Sequence, residues 1–338
     1  MTTTLLITMG DPAGIGPECV ARAFSLGRAP DCVVIGDVGV MRRASALLAQ
    51  PMVVAHIETP RDLGAVPPGC IPVIEPAGLP PAMDRLAWGQ VDARAGRAAA
   101  LCIEQAVHWV QAGAARAVVT APIHKEALAA AGIGFPGHTE MLQALATPAG
   151  AAPPPVRMML ANDELRVVLV TIHLSLRRAI EGVTFDTVLQ TLRIAHNAAG
   201  AWGLERPRIA VAGLNPHAGE GGLFGDEELT VIGPALKAAC AEGIDARGPF
   251  APDTVFMRAR DSPGHAGEFD LVVAMTHDHG LIPVKYLGVE RGVNVTLGLP
   301  FVRTSPDHGT AFDIAGRGVA DASSLVAAIE AARRALKP

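Results

Sequence analysis

The chain has 338 residues, 50% of them hydrophobic, with a formal net charge of −5 and no block of like charge. That length suits two domains or one large α/β unit with a sizeable core. The charge argues against nucleic acid or an anionic membrane as the main partner, and no uncharged apolar stretch is long enough to span a bilayer.

Residues 5–9 (LLITM) read as a strand and residues 10–16 (GDPAGIG) as the turn after it, with Pro17 opening a helix to about Phe24. This start has no basic region and reads as a first strand, not a signal peptide. Gly14 and Gly16 resemble the start of a dinucleotide fingerprint, but Cys19 stands where its third glycine belongs, so a plain strand-to-helix turn is the better reading. A strand over 32–36, a helix through 42–49 and a strand over 53–57 follow. Residues 59–87 are rich in Pro and Gly and read as irregular connection around one short strand, 71–74. A long helix covers 91–112 and closes at Gly113. A strand at 117–120 leads into Ala121-Pro122-Ile123-His124-Lys125, a short helix, and the glycine-containing loop 134–140 (GFPGHTE), which presents a His-Thr pair. Residues 147–155 (TPAGAAPPP) form a surface loop.

Strands are expected at 157–160 and 167–172, then a helix from the cap Thr184 to about Trp202. A strand over 209–214 runs into Asn215-Pro216-His217 and the glycines of NPHAGEGG, and residues 227–242 are helical. Asp253-Thr254 lies in a loop before the strand 271–275. Extended segments at 291–296 and up to 303–305 precede the glycine-punctuated loop 308–318, and Asp321 or Ser323 starts the last helix. Alternating strands and helices predict a mainly parallel sheet with helices on both faces. The five cysteines, Cys19, Cys32, Cys70, Cys102 and Cys240, are scattered without a C-x-x-C pair, as free thiols in a reducing, cytoplasmic setting would be.

Three of these apolar strands each deliver a histidine just past the strand end: His173, His217 and His277. Ligands of open α/β sheets gather at that end, and three imidazoles can hold a divalent ion with positions left open. Each could equally be a hydrogen-bonded loop or core histidine; spacing does not show that they meet.

GDPAGIGPE at 10–18, GHTE at 137–140, NPHAGEGG at 215–222, the HDxG at 277–280, GRGxAD at 316–321 and RGVNVTLGLPFVRTSPDHGTA at 291–311 resemble, in order and over almost the whole chain, the 4-hydroxythreonine-4-phosphate dehydrogenases, the PdxA family. The resemblance implies an isocitrate-dehydrogenase-like fold, with two α/β/α domains and the active site in the cleft between them. Residues 1–127 plus 287–338 would form a terminal domain carrying the NAD loop, and 128–286 a central domain with the metal histidines and dimer contacts. It implies a divalent metal on His173, His217 and His277, drawn from both subunits of a homodimer. It implies substrate contacts from His138, Thr139, Lys285, Asn294 and Arg303, with Lys285 and Asp253 as catalytic candidates. His308, Gly309, Thr310, Gly316 and Gly318 would lie on the loop that holds NAD, with NADP as the alternative. Nitrogen ligands favour zinc, with cobalt or magnesium as alternatives. Family members commonly read MYHDQG where this chain has Met275-Thr276-His277-Asp278-His279-Gly280, which bears on substrate identity.

The reaction so implied is NAD-dependent oxidation of 4-phosphohydroxy-L-threonine to a β-keto acid that decarboxylates to 3-amino-2-oxopropyl phosphate, in pyridoxal phosphate biosynthesis. Paralogues in the family act on D-threonate or erythronate 4-phosphate, or on a terephthalate cis-dihydrodiol. Two other classes are a non-catalytic sugar-phosphate binding protein that kept the fold and a hydrolase using a histidine-bound water, which leaves the 308–318 loop unexplained.

Overall fold

The computed structural model describes residues 4–336, so Lys337 and Pro338, the end of the expected terminal domain, lie outside the described residues. The chain divides into two compact units: residues 4–154 with 299–336, and residues 155–298. The exchange points thus fall later than the 127/128 and 286/287 expected from sequence. The residues between them explain the first: Met141 and Leu142 bury against Ala100, Ile103, Val107 and Leu128 in one core.

The first unit opens with β1 (Leu5–Thr8), α1 (Gly16–Ser25), β2 (Cys32–Ile35), α2 (Val38–Ser45), β3 (Val53–His56), β4 (Cys70–Ile74), α3 (Ala93–Gln111), β5 (Ala117–Thr120), α4 (Lys125–Ala130) and α5 (His138–Ala146). Asp37 and Asp92 cap α2 and α3 by accepting backbone N–H bonds from Val40 and Arg94. The second unit holds β6 (Arg157–Ala161), β7 (Arg166–Leu169), α6 (Leu176–Glu181), α7 (Phe185–Ala199), β8 (Ile209–Ala212), α8 (Gly233–Ala241), β9 (Ala246–Phe250), α9 (Val255–Ala259), β10 (Leu271–Ala274), α10 (His277–Tyr286) and β11 (Val293–Leu297). The chain then returns to the first unit for β12 (Val302–Pro306) and α11 (Ser323–Ala335).

In the first unit the strands lie in the order β3-β4-β2-β1-β5-β12, every pair parallel. β1, β2 and β5 are fully buried, as the near-continuous apolar runs of a parallel sheet covered on both faces require. The second unit is mixed. β7, β10, β8 and β9 are parallel, while β6 joins β7 and β11 antiparallel. Val167, Leu169, Ala210, Val272, Leu281 and Val284 are the centre of its core.

Several elements differ from the sequence expectation. The polar segment after β10 is the first turn of α10, which carries Pro283 in its interior. A helix this weakly patterned forms because its buried side packs: Gly280 lies flush on β7, where a Cβ would stand 2.4 Å from Leu169 Cδ2. Lys285, Asn294 and Arg303, expected as substrate contacts, occupy the last turn of α10, β11 and β12. The loop at 134–140 gives way to α5 from His138 onward.

Candidate active site

In the second unit, β7 and β10 continue their pairing beyond the strands. The Val170 N–H donates to Ala274 O (2.9 Å) and the Thr171 N–H to Met275 O (3.2 Å), while Thr171 Oγ1 donates to the same oxygen at 2.8 Å. This register carries His173 and His277 out side by side, with ring centroids 5.7 Å apart. His277 Nδ1 is hydrogen-bonded to Asp278 Oδ1 at 2.8 Å, a carboxylate–imidazole pairing of the kind that orients metal-ligating histidines. His173 has φ 50°, in the left-handed region that a non-glycine residue holds only where its surroundings impose it. Both rings line a cavity of about 220 Å³ with Leu174, Leu176, Thr276 and Asp278.

His217 stands in a run of left-handed residues, His217 (φ 54°), Ala218 (51°), Gly219 (78°), Glu220 (43°) and Gly221 (66°). Glu228, 3% exposed, ties down the start of this run by accepting from the Leu214 N–H (2.7 Å), the Asn215 N–H (2.8 Å) and Asn215 Nδ2 (2.9 Å). Burial raises its carboxyl, but the hydrogen bonds from Asn215, its own backbone and Leu214 together outweigh this and leave it below the usual carboxylate range. The His217 ring faces Phe224, with centroids 6.1 Å apart. Among the described residues, no three His, Cys, Asp or Glu side chains converge as a metal site. The structure brings His173 and His277 together, and His217 is held by a different loop. Of the other expected residues in this unit, Lys285 and Asp253 are exposed and Asn294 is half-buried.

The first unit contains a buried cation. Arg303 is 3% exposed and donates to Thr120 Oγ1 from Nε (3.2 Å) and Nη2 (2.6 Å); burial lowers its guanidinium to about 10. His138 opens α5, with Thr139 next to it and half-buried. Burial, reinforced by the Arg303 cation, pushes the His138 imidazole well below its ordinary value. Its Nε2 is buried without a hydrogen-bond partner. A buried cation beside a neutral imidazole with an orphaned nitrogen is an environment an anionic ligand would complete.

The 308–318 loop packs on the 10–16 turn. The Ile15 N–H donates to Thr310 O at 3.0 Å, and His308 Nδ1 is hydrogen-bonded to its neighbour Gly309 O at 3.0 Å. Further on, Arg22 Nη2 donates to Gly318 O at 2.9 Å, and buried Glu18 accepts from the Ala320 N–H at 2.8 Å. Gly316 adopts φ 76°, with a Cβ position 2.4 Å from Trp88 Cδ1. Sequence reasoning missed two groups here. Asp11, 1% exposed, accepts from the Ala13 N–H at 2.8 Å while its Oδ2 has no partner, and burial pushes its carboxyl up to about 6. His124 stacks on Phe312 of the loop at 4.5 Å. The signal for both was present in the polar residues after β1 and β5, adjacent parallel strands.

The model for pyridoxal phosphate biosynthetic protein PdxA matches residues 28–332. A 4-hydroxythreonine-4-phosphate dehydrogenase of Beijerinckia indica is 55% identical over 337 residues, 99% of this chain and 95% of that protein. A D-threonate 4-phosphate dehydrogenase of Pectobacterium atrosepticum is 44% identical over 98% of this chain and 99% of that one. A crystal structure of 4-hydroxythreonine-4-phosphate dehydrogenase from Klebsiella pneumoniae superposes with a TM-score of 0.87 at 42% identity, covering 99% of this chain and 100% of that chain. Fold and relatives together define a dehydrogenase of mixed α/β architecture. The chain belongs to the PdxA family of pyridoxal phosphate biosynthetic proteins.

Proposed function

We propose that this chain oxidises 4-phosphohydroxy-L-threonine with NAD, giving a β-keto acid that decarboxylates to 3-amino-2-oxopropyl phosphate. The observation that carries the phosphate assignment is Arg303, 3% exposed, beside His138 with its unpartnered Nε2. A guanidinium fork suits a phosphate dianion, and Thr139 adds a hydroxyl donor. The family resemblance adds Lys285 and Asn294 as substrate contacts, and Lys285 and Asp253 as catalytic candidates. It assigns His308, Gly309, Thr310, Gly316 and Gly318 to the dinucleotide.

His173 and His277 fit a divalent ion: their rings are 5.7 Å apart and Asp278 fixes one of them. His217 from a second copy would be the third ligand, and three nitrogens suit zinc or cobalt better than magnesium. A bound ion would supply Lewis acidity toward the secondary hydroxyl of the substrate. A homodimer is supported by apolar side chains exposed near each of the three histidines, among them Leu176 (66%), Leu223 (73%) and Ile282 (64%). Among the described residues no helix is long and apolar enough to cross a membrane; a cytoplasmic location rests on the scattered free cysteines.

A second reading, D-threonate 4-phosphate as substrate, draws on the relative so named at 44% identity. One panel of steady-state rates of NAD reduction separates the readings. It compares 4-phosphohydroxy-L-threonine, D-threonate 4-phosphate, their dephosphorylated forms and a terephthalate dihydrodiol. The highest kcat/KM is expected with 4-phosphohydroxy-L-threonine; equal rates with and without phosphate, or preference for the dihydrodiol, overturn the assignment.

A further inference from the structure

We infer that Arg43 and Trp88 form a brace that positions the 308–318 loop for the dinucleotide; this rests on the assignment of that loop to NAD. The Arg43 guanidinium lies 3.8 Å from the centroid of the Trp88 ring. Its Nη1 donates to Asp84 O (2.9 Å) and Leu86 O (2.6 Å), and its Nη2 to Pro12 O (2.8 Å). One cation thereby joins the chain ahead of Trp88 to the 10–16 turn and stacks on the indole between them. Replacing it by Lys would keep a charge but lose the planar fork and the stacking.

Gly316 rests on that indole. A Cβ there would stand 2.4 Å from Trp88 Cδ1 and 2.5 Å from Cγ, so the loop backbone touches the ring directly. The neighbouring Gly89 repeats the contact from the other side of the sequence. Its N–H donates to Ala13 O at 2.8 Å, and a Cβ on it would stand 2.4 Å from Phe312 O. The ends of the loop are held separately, by Ile15 at Thr310 and by Arg22 and Glu18 at Gly318 and Ala320. Trp88 therefore supports the middle at Gly316, between those ties. A loop that offers backbone groups to a ligand must be fixed to within about 0.5 Å. Removing the ring, or the cation that holds the ring in place, lets the middle of the loop sink while its ends stay tied. Neither side chain is assigned to substrate, metal or chemistry; both act through the loop.

The test uses Arg43→Ala, Trp88→Ala and Trp88→Phe in the full-length protein. NADH binding is measured by titration calorimetry without substrate, alongside steady-state kinetics. In Arg43→Ala and Trp88→Ala the NADH Kd and the KM for NAD should rise about tenfold, the low end of what loosening a supporting contact costs. The kcat and the KM for the phosphorylated acid should stay within about twofold, because a positioning loss appears in the binding of the one ligand concerned. Trp88→Phe, which keeps a flat ring under Gly316, should lie close to wild type. The double variant should bind no worse than Trp88→Ala, since both changes remove one support. Arg43→Lys, which keeps the charge but loses the fork and the stacking, carries the test if Arg43→Ala folds poorly. Unchanged NADH affinity in folded variants overturns the brace, as does an equal loss for the phosphorylated acid. A wild-type protein that binds no NADH overturns the cofactor assignment itself, and the brace with it.

Discussion

Arg303 shows what burial does to a single charge. Its guanidinium is 3% exposed and depressed to about 10, still cationic at neutral pH. Losing one charge-assisted contact to a buried anion costs roughly 1.5–3 kcal/mol, or about 10- to 150-fold in kcat/KM. Arg303→Ala should therefore lose that much on a phosphorylated acid and almost nothing on its dephosphorylated analogue, in paired steady-state assays with circular dichroism as the folding control. Equal losses on both would mean that Arg303 does not meet the phosphate. Asp11 gives a pH prediction. Its carboxyl is raised from 3.8 to about 6, chiefly by burial. The stability this group allows is fully present below its unfolded value and is lost as pH rises through about 6. Asp11→Asn keeps the acceptor for the Ala13 N–H and cannot ionise. The variant should gain on wild type between pH 4 and pH 8, by up to about 3 kcal/mol, as read from urea unfolding across that range. A gap that stays constant with pH would show that Asp11 titrates normally.

At the scale of the element, α10 carries the most consequence, because its N-terminus presents His277 and its buried side depends on one missing side chain. A Cβ at Gly280 would stand 2.4 Å from Leu169 Cδ2 and 2.8 Å from Val167 Cγ1, both in β7. Gly280→Ala should lift the helix off the strand. Overpacking of this kind costs roughly 1–3 kcal/mol, to be read in urea unfolding. The same displacement moves His277 away from His173, so zinc content by elemental analysis should fall as well. Destabilisation with full zinc content would uncouple the helix seat from the metal pair.

For the whole molecule, the three histidines decide the expected assembly. His173 and His277 adjoin in one chain, while His217 faces Phe224 on its own loop. A site completed by a second copy predicts light scattering at about twice the 34.9 kDa chain mass. It also predicts complementation. His217→Ala and His277→Ala proteins should each be inactive, yet random hybrids of the two contain one intact site in each mixed dimer. Co-refolded mixtures should recover about a quarter of wild-type activity. No recovery, or an active species at the monomer mass, would place all three ligands within one chain.

Buried strands were legible in the sequence because a parallel strand covered on both faces is an uninterrupted apolar run, and β1, β2, β5 and β10 are such runs. Punctuation was legible too: Thr184 caps α7 by accepting the Thr187 N–H at 3.2 Å, and Ser323 starts α11. So were the polar residues after β7, β8 and β10, which is why His173, His217 and His277 stood out. Tertiary structure decided what local pattern does not encode. α10 forms despite Pro283 because Gly280 fits against β7. α5 belongs with the first unit because Met141 and Leu142 fill a core made with Ala100, Ile103, Val107 and Leu128, well back in the chain. Arg303 reads from sequence as a strand-end cation, and only packing buries it next to His138. Arg43, Trp88 and Gly316 carry no common motif; three segments distant in the chain meet only through folding. Short-range preference fixes where strands and helices can begin, whereas contacts between remote segments set which polar groups are buried together, and with them the chemistry of the site.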